Sequence, residues 1–370
     1  MTEQLRTTPL HEEHLRLGGK MVEFAGFSLP VHYSGGIWSE HRAVRTAAGV
    51  FDVSHMGEFE ISGPQALEFV QYLTVNDPAS LAIGRAQYSL LSREDGGIID
   101  DLLVYRLDQS TFLMVVNAAT REKDLGWIRS HQIEFNASLE DHSERYALVA
   151  LQGPRAALIL SRMTEVDLQE IGSFHFVRTR VSGIDIILAR TGYTGEDGFE
   201  LYLEADRVRE VWVDLLDAGS ALGLQPAGLG ARDILRLEMG YPLYGADLDE
   251  DRTAFEAGLG WVVKLEKGPF LGRSALAQQR ETGVSRKLVG IRMSEKGFPR
   301  AGYSVIVGDE VVGAVVSGTM SPSLGAGIAM AYLPIGLTEV GTAVSIRIRG
   351  RDCHGNVVRV PFYRKGSRKK

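Results

Sequence analysis

Four short stretches concentrate chemically capable side chains among glycines. They are Phe51-Asp52-Val53-Ser54-His55-Met56-Gly57, Gly96-Gly97-Ile98-Ile99-Asp100-Asp101-Leu102, Arg190 through Glu200, and Ala227 through Asp233 continuing to Arg236, Glu238, Tyr241 and Gly245. The Asp100-Asp101 pair sits where a strand begins. Adjacent strand residues point to opposite faces, so only one carboxylate can face a cavity unless the backbone is irregular there. Capping of the turn-to-strand junction is an equally good reading of that spacing. His55 could act as a base, although a lone histidine is more often structural. Glu200 follows an apolar Phe199 on an expected strand, Phe199–Leu203. A carboxylate so placed can accept two parallel N–H bonds from a 2-amino-pyrimidinone edge, the recognition edge of a pterin. The loop acids Glu196 and Asp197 suit that task less well.

Gly228-x-Gly230 lies before an expected helix, Ala231–Met239, but Asp233 stands where a dinucleotide fingerprint needs its third glycine. The glycines are better read as a tight turn into the helix, with Arg232 in its first turn able to reach a carbonyl or carboxylate. No Walker motif, zinc-spaced Cys/His set or nucleophile elbow occurs. His11-Glu12-Glu13-His14 lacks the zinc-protease spacing and reads as an exposed helical face.

The elements that must hold these residues are legible in part. Thr8-Pro9-Leu10 reads as a helix start with Thr8 as N-cap, running to Leu17 and stopping at Gly18-Gly19. A second helix is expected over Glu40–Ala48, ending at Gly49. A strand at Glu58–Ile61 leads to Gly63-Pro64 and a helix carrying Leu67, Val70 and Leu73. A strand at Ala147–Leu151 leads to Gly153-Pro154 and a helix carrying Ala157 and Leu160. This strand–Gly-Pro–helix echo predicts two related α+β layers, with proline placed where a missing N–H costs least. Strands at 98–105 and 111–117 and a helix at 121–130 lie between them. From about residue 285 the pattern is short β-branched runs: 287–293, 304–307, 311–316, 343–348 and 357–360. Gly308-Asp309-Glu310 and His354-Gly355-Asn356 are expected turns, and Ala275–Gly283 a helical boundary.

At 370 residues, 44% hydrophobic and 24% charged, the chain has room for two or three globular domains. A net charge of −7 argues against nucleic acid as the main ligand. The basic run Arg364, Lys365, Arg368, Lys369 and Lys370 reads as a solvated end beyond Arg364. The single cysteine, Cys353, excludes an internal disulfide, fits a reducing cytoplasm and is expected in a turn-like stretch, Arg351–Asn356. No signal peptide and no apolar run long enough for a membrane is present.

Taken together, FDVSHMGE (51–58), GGIIDDLLVY (96–105), VVNAATREKDL (115–125), RTGYTGEDGFEL (190–201), PAGLGARDILRLE (226–238) and Leu243-Tyr244-Gly245 resemble the aminomethyltransferase (T-protein) family of the glycine cleavage system. The resemblance covers essentially the whole chain. It implies an α+β fold of three domains in a cloverleaf around a central folate channel, the last an all-β barrel. The implied domains are 1–58 with 153–275, an inserted 59–152 bearing the catalytic acid, and 285–370. It implies that a lipoylated carrier, the H-protein, brings an aminomethyl group, that tetrahydrofolate takes the methylene carbon as co-substrate, and that ammonia leaves. No metal, flavin or nucleotide is expected, and no nucleic-acid or membrane partner. By matched motif position, Asp101 is the implied catalytic acid and Glu200 the pterin ligand. Met56, Tyr88, Asn117, Arg232, Tyr241 and Arg364 are the other implied folate contacts. A carboxylate beside a cationic, iminium-like carbon must be ionised to help, so Asp101 is expected to be charged. A folate-dependent demethylase of the same superfamily is the alternative. A non-catalytic folate-binding protein of the iron–sulfur repair type fits less well, because Lys267-Gly268 is followed by Pro269 rather than cysteine.

Overall fold

The computed structural model describes residues 5–368. The first four residues and Lys369-Lys370, part of the expected basic end, lie outside them. The described residues form four sheets. A small one joins Arg6–Thr7, Phe27–His32 and Lys20–Phe24. A six-stranded sheet runs in spatial order 176–181, 184–189, 198–204, 146–152, 48–52, 224–226. It is antiparallel except for its last pair, where Leu224–Pro226 runs parallel to Ala48–Asp52. A five-stranded sheet has the order 85–92, 98–106, 111–116, 57–62, 138–141. The C-terminal strands close into a six-stranded barrel beginning at Arg286–Met293. The fold is thus mixed α and β with a closed terminal barrel, as expected.

The strand–Gly-Pro–helix echo is present twice. Gly57–Ser62 leads to the helix Ala66–Leu73, and Tyr146–Gln152 leads to Ala156–Leu160. In both, the glycine has positive φ, +116° at Gly63 and +136° at Gly153. A Cβ on Gly153 would also sit 2.6 Å from the Ala47 carbonyl oxygen, so the turn needs glycine twice over. Each helix buries one face: Phe69, Val70 and Leu73 in one, Ile159 and Leu160 in the other.

Several expectations are corrected. The first helix spans His11–Arg16 with Leu10 at its cap position. Thr8 makes no cap; its hydroxyl donates to Asp52 Oδ2 at 2.6 Å. His14 is fully buried rather than on an exposed face, bonded through Nε2 to Asp52 (2.8 Å) and through Nδ1 to the Tyr33 hydroxyl (2.9 Å). The second helix is Ile37–Thr46, and Ala48 and Gly49 already belong to a buried strand. In the barrel, His354-Gly355-Asn356 is no turn but the middle of a strand, Arg351–Val358. Cys353, Gly355 and Val357 alternate inward there, and a Cβ on Gly355 would meet the Arg292 carbonyl. Cys353 is therefore a buried barrel residue. The turn falls instead at Arg349-Gly350, both with positive φ. The strand Ala326–Pro334 has no counterpart among the expected runs; its alanines and glycine carry little β signal, although it is buried almost throughout.

Candidate functional site

The strand Ile98–Arg106 is antiparallel to Arg85–Ser92, with Leu91 opposite Asp100 and Ser92 opposite Ile98. One residue, Ile99, is extra, and this bulge falls immediately before the acid pair. It supplies the irregular backbone that the sequence reading required for the two carboxylates to meet. Asn117, just past the strand Thr111–Val116, donates from one Nδ2 to Asp100 Oδ1 (2.9 Å), Asp101 Oδ1 (2.9 Å) and the Asp101 carbonyl (3.0 Å). Its backbone N–H donates to Asp100 Oδ2 at 3.0 Å. Tyr88, on the neighbouring strand, donates from its hydroxyl to Asp101 Oδ2 at 2.9 Å. Both Asp101 oxygens are thus fixed, one by an amide and one by a phenol.

The electrostatics follow from burial. Asp100 is fully buried while Asp101 keeps some exposure. Shielding from water, and then the charge of Asp100, raise Asp101 to about 7, while Tyr88 and Asn117 hold it down. Burial and the same Asp100 charge push the Asp124 carboxyl up as well. The rise works against the expectation of a charged Asp101, and Tyr88 and Asn117 work for it.

Glu200 lies on the strand Gly198–Glu204 and is buried. Among the described residues its one hydrogen-bond donor is the Thr191 hydroxyl, on Oε2. Burial raises its carboxyl, and Thr191, Arg232 and Arg368 oppose that rise. Arg232, on the helix Leu229–Glu238, lies with its guanidinium carbon 4.8 Å from the centre of the Tyr193 ring. Tyr193 in turn stacks on Tyr241, 5.7 Å between centroids and 24° between planes.

The structure therefore joins Asp101 to Tyr88 and Asn117 by hydrogen bonds and sets Arg232 and Tyr241 against the Tyr193 ring, with Glu200 held by Thr191. Met56 follows the Asp52 strand in a turn closed by its N–H to the Val53 carbonyl, half-buried against the same core as Leu103 and Phe174. Arg364 is not brought to the cluster. It is exposed, with its guanidinium on the Pro361 and Arg359 carbonyls at 3.4 Å each. His55 is buried, edge-on to Phe24 and Phe27, and burial lowers it to about 4 with Arg232 acting in the same sense. It is a neutral packing residue.

Sequence reasoning missed two participants. Tyr193 stood in a quoted stretch, and an aromatic residue inside a glycine-rich loop was the available signal. Arg368 carried none, because the end of the chain was read as solvated. Instead Ser367 and Arg368 lie on the Gly195–Asp197 turn and on Tyr241. Among the described residues no three His, Cys, Asp or Glu side chains are grouped to hold a metal ion, and no helix is long and apolar enough to cross a membrane.

Residues 10–267 match the GCVT N-terminal domain, and residues 286–364 the glycine cleavage T-protein C-terminal barrel domain. The aminomethyltransferase of Symbiobacterium thermophilum is 51% identical, covering 100% of both chains. That of Bacillus subtilis is 45% identical over 98% of this chain and 100% of its own. The crystal structure of glycine cleavage system aminomethyltransferase T from Bartonella henselae matches with a TM-score of 0.93 at 35% identity, over 99% of this chain and 100% of that one.

Proposed function

Since the chain belongs to the glycine cleavage T-protein family and is an aminomethyltransferase, we propose a reaction and a set of residue roles on that premise. Tetrahydrofolate is the acceptor. The donor is an aminomethyl group on a dihydrolipoyl sulfur, carried by the lipoylated H-protein in the cytoplasm. The carbon leaves as the bridge of 5,10-methylenetetrahydrofolate, with ammonia and the free dihydrolipoyl thiol as the other products. That carbon stays at one oxidation level throughout, so the exchange asks for no electron carrier, flavin or nucleotide. We assign three lobes, residues 1–58 with 153–275, 59–152 and 285–370, and place folate between them.

The observation that carries the residue roles is the doubly held Asp101 carboxylate, fixed by Tyr88 and Asn117. We place it at one end of the folate site and Glu200 at the other. When sulfur leaves, the methylene carbon becomes cationic. An ionised Asp101 beside it stabilises that charge without reorganising, because its oxygens are already oriented. It can also accept the proton that a folate amine loses on attack. The pyrimidinone edge presents parallel N–H groups to Glu200, whose carboxylate takes only Thr191 among the described residues. Arg232 and the Tyr193–Tyr241 stack would pack and orient the rest of the ligand.

The test mixes aminomethylated H-protein, tetrahydrofolate and protein, and assays ammonia and methylenetetrahydrofolate together. The two products are expected in equal amounts. Glu200→Gln should raise the folate Kd at least tenfold, because one N–H donor of the ligand would face another donor. An unaltered Kd would remove Glu200 from the site.

A further inference from the structure

The end of the described chain is clipped to the site. Ser367 donates its backbone N–H (2.7 Å) and its hydroxyl (2.6 Å) to Glu196 Oε2, and its Oγ accepts from the Asp197 N–H at 3.1 Å. Gly366 lies flush against the Gly195 carbonyl, where a Cβ would have no room. The clip leaves Arg368 with its guanidinium carbon 4.9 Å from the Phe174 ring centre and its Nη1 3.0 Å from the Tyr241 hydroxyl.

A guanidinium only donates, so the Tyr241 oxygen is the acceptor of that bond and its own proton must point elsewhere. Among the described residues no protein acceptor takes that proton. The ring is held by its stack on Tyr193, so the hydroxyl direction is its remaining freedom. We propose that Arg368 is a positioning residue: it turns the Tyr241 hydroxyl into a hydrogen-bond donor aimed at an acceptor atom of the bound folate. The proposal rests on folate occupying this site.

A double-mutant cycle on tetrahydrofolate binding tests it, using Arg368→Gln, Tyr241→Phe and the pair, with Arg368→Lys as the conservative variant. Each single change should weaken binding about five- to tenfold, the loss expected for one hydrogen bond. The effect should appear in KM for folate rather than in kcat. The pair should be weaker than Tyr241→Phe alone by much less than the Arg368→Gln loss, because Arg368 acts chiefly through Tyr241 and only at longer range on the Glu200 charge. Arg368→Lys should recover most of the loss, since an ammonium can donate to the same oxygen. Gly366→Ala, which lifts the clip, should match Arg368→Gln. Losses that multiply in the pair, or an Arg368→Gln protein that binds as the parent does, would overturn the proposal. A neutral Tyr241→Phe would overturn it together with Tyr241's place at folate. Weakened folate binding by Glu200→Gln in that case would show that the wider reading still stands.

Discussion

At Asp101 two influences oppose each other, and their balance predicts how the protein responds to pH. Burial and Asp100 raise the carboxyl, while Tyr88 and Asn117 stabilise its charged form. If the ionised form works, turnover should climb as pH rises from about 6 to 8. A hydrogen bond to a charged group contributes roughly 1.5–3 kcal/mol, so Tyr88→Phe should move the midpoint of the pH profile upward by about one pH unit or more. A midpoint that stays put would show that the phenol does not tune the acid. Asp101→Asn should cut kcat at least a hundredfold while leaving the folate Kd within a few fold. The same variant should be more stable than the parent at pH 8. The folded carboxyl titrates near 7 and the unfolded one near 4. The folded state therefore binds more protons in that interval, and the parent loses stability as pH rises through it. The gain in melting temperature should be large at pH 8 and shrink toward pH 5. The acid pair was visible in the sequence, because Asp-Asp at a glycine-rich strand start is a local pattern. Its bridging by Asn117 was not, since that contact depends on a bulge and on a neighbouring strand.

Among the elements, the legible ones were those whose burial is periodic. Ala66–Leu73 could be read because its apolar residues recur at 3.6, and Ile98–Arg106 because an apolar run follows the Gly96-Gly97 turn. Ala326–Pro334 could not, since its Ala and Gly are chosen by the closeness of its barrel neighbours rather than by β propensity. His14 was misread because its helix is short and its polar face is turned inward onto Asp52 and Tyr33, a tertiary pairing that spacing does not announce. Gly97 is a sharper case. It directly precedes the Asp101 strand, and a Cβ there would overlap the Glu250 carbonyl. Gly97→Ala must therefore shift either the bulge or the 249–253 segment facing it. It should lower turnover more than tenfold, with a melting temperature reduced by several degrees for a cost of about 2 kcal/mol. Full activity would mean that the bulge does not position the acid.

Across the whole molecule, one buried carboxylate ties the barrel to two helices of the remainder. Glu238, at the end of the Arg232 helix, accepts from His41 and Arg45 on the helix Ile37–Thr46. It also accepts from Ser321 and Ser323 at the barrel edge. Burial alone would raise its carboxyl, but His41 and Arg45 together hold it down to about 2. Its unfolded counterpart titrates near 4, so the docking energy is present above that pH and is lost as pH falls from about 4 toward 2. Glu238→Ala would leave His41 and Ser321 without their buried acceptor and Arg45 with Glu196 as its one carboxylate, and should cost about 2–3 kcal/mol in denaturant unfolding. An unchanged unfolding midpoint would show that the lobes dock without it. The barrel was foreseeable from composition, but its attachment through Arg45, Glu238 and Ser321 was not, because these residues lie far apart in the sequence. On this reading Asp101 and Glu200 meet a single folate from opposite ends. The direct measurement is a crystal structure with tetrahydrofolate bound. The pyrimidinone edge should pair with Glu200, and the N5 face of the same molecule should turn to the Asp101 carboxylate. A folate that meets only one of the two acids, or lies elsewhere, would contradict that reading.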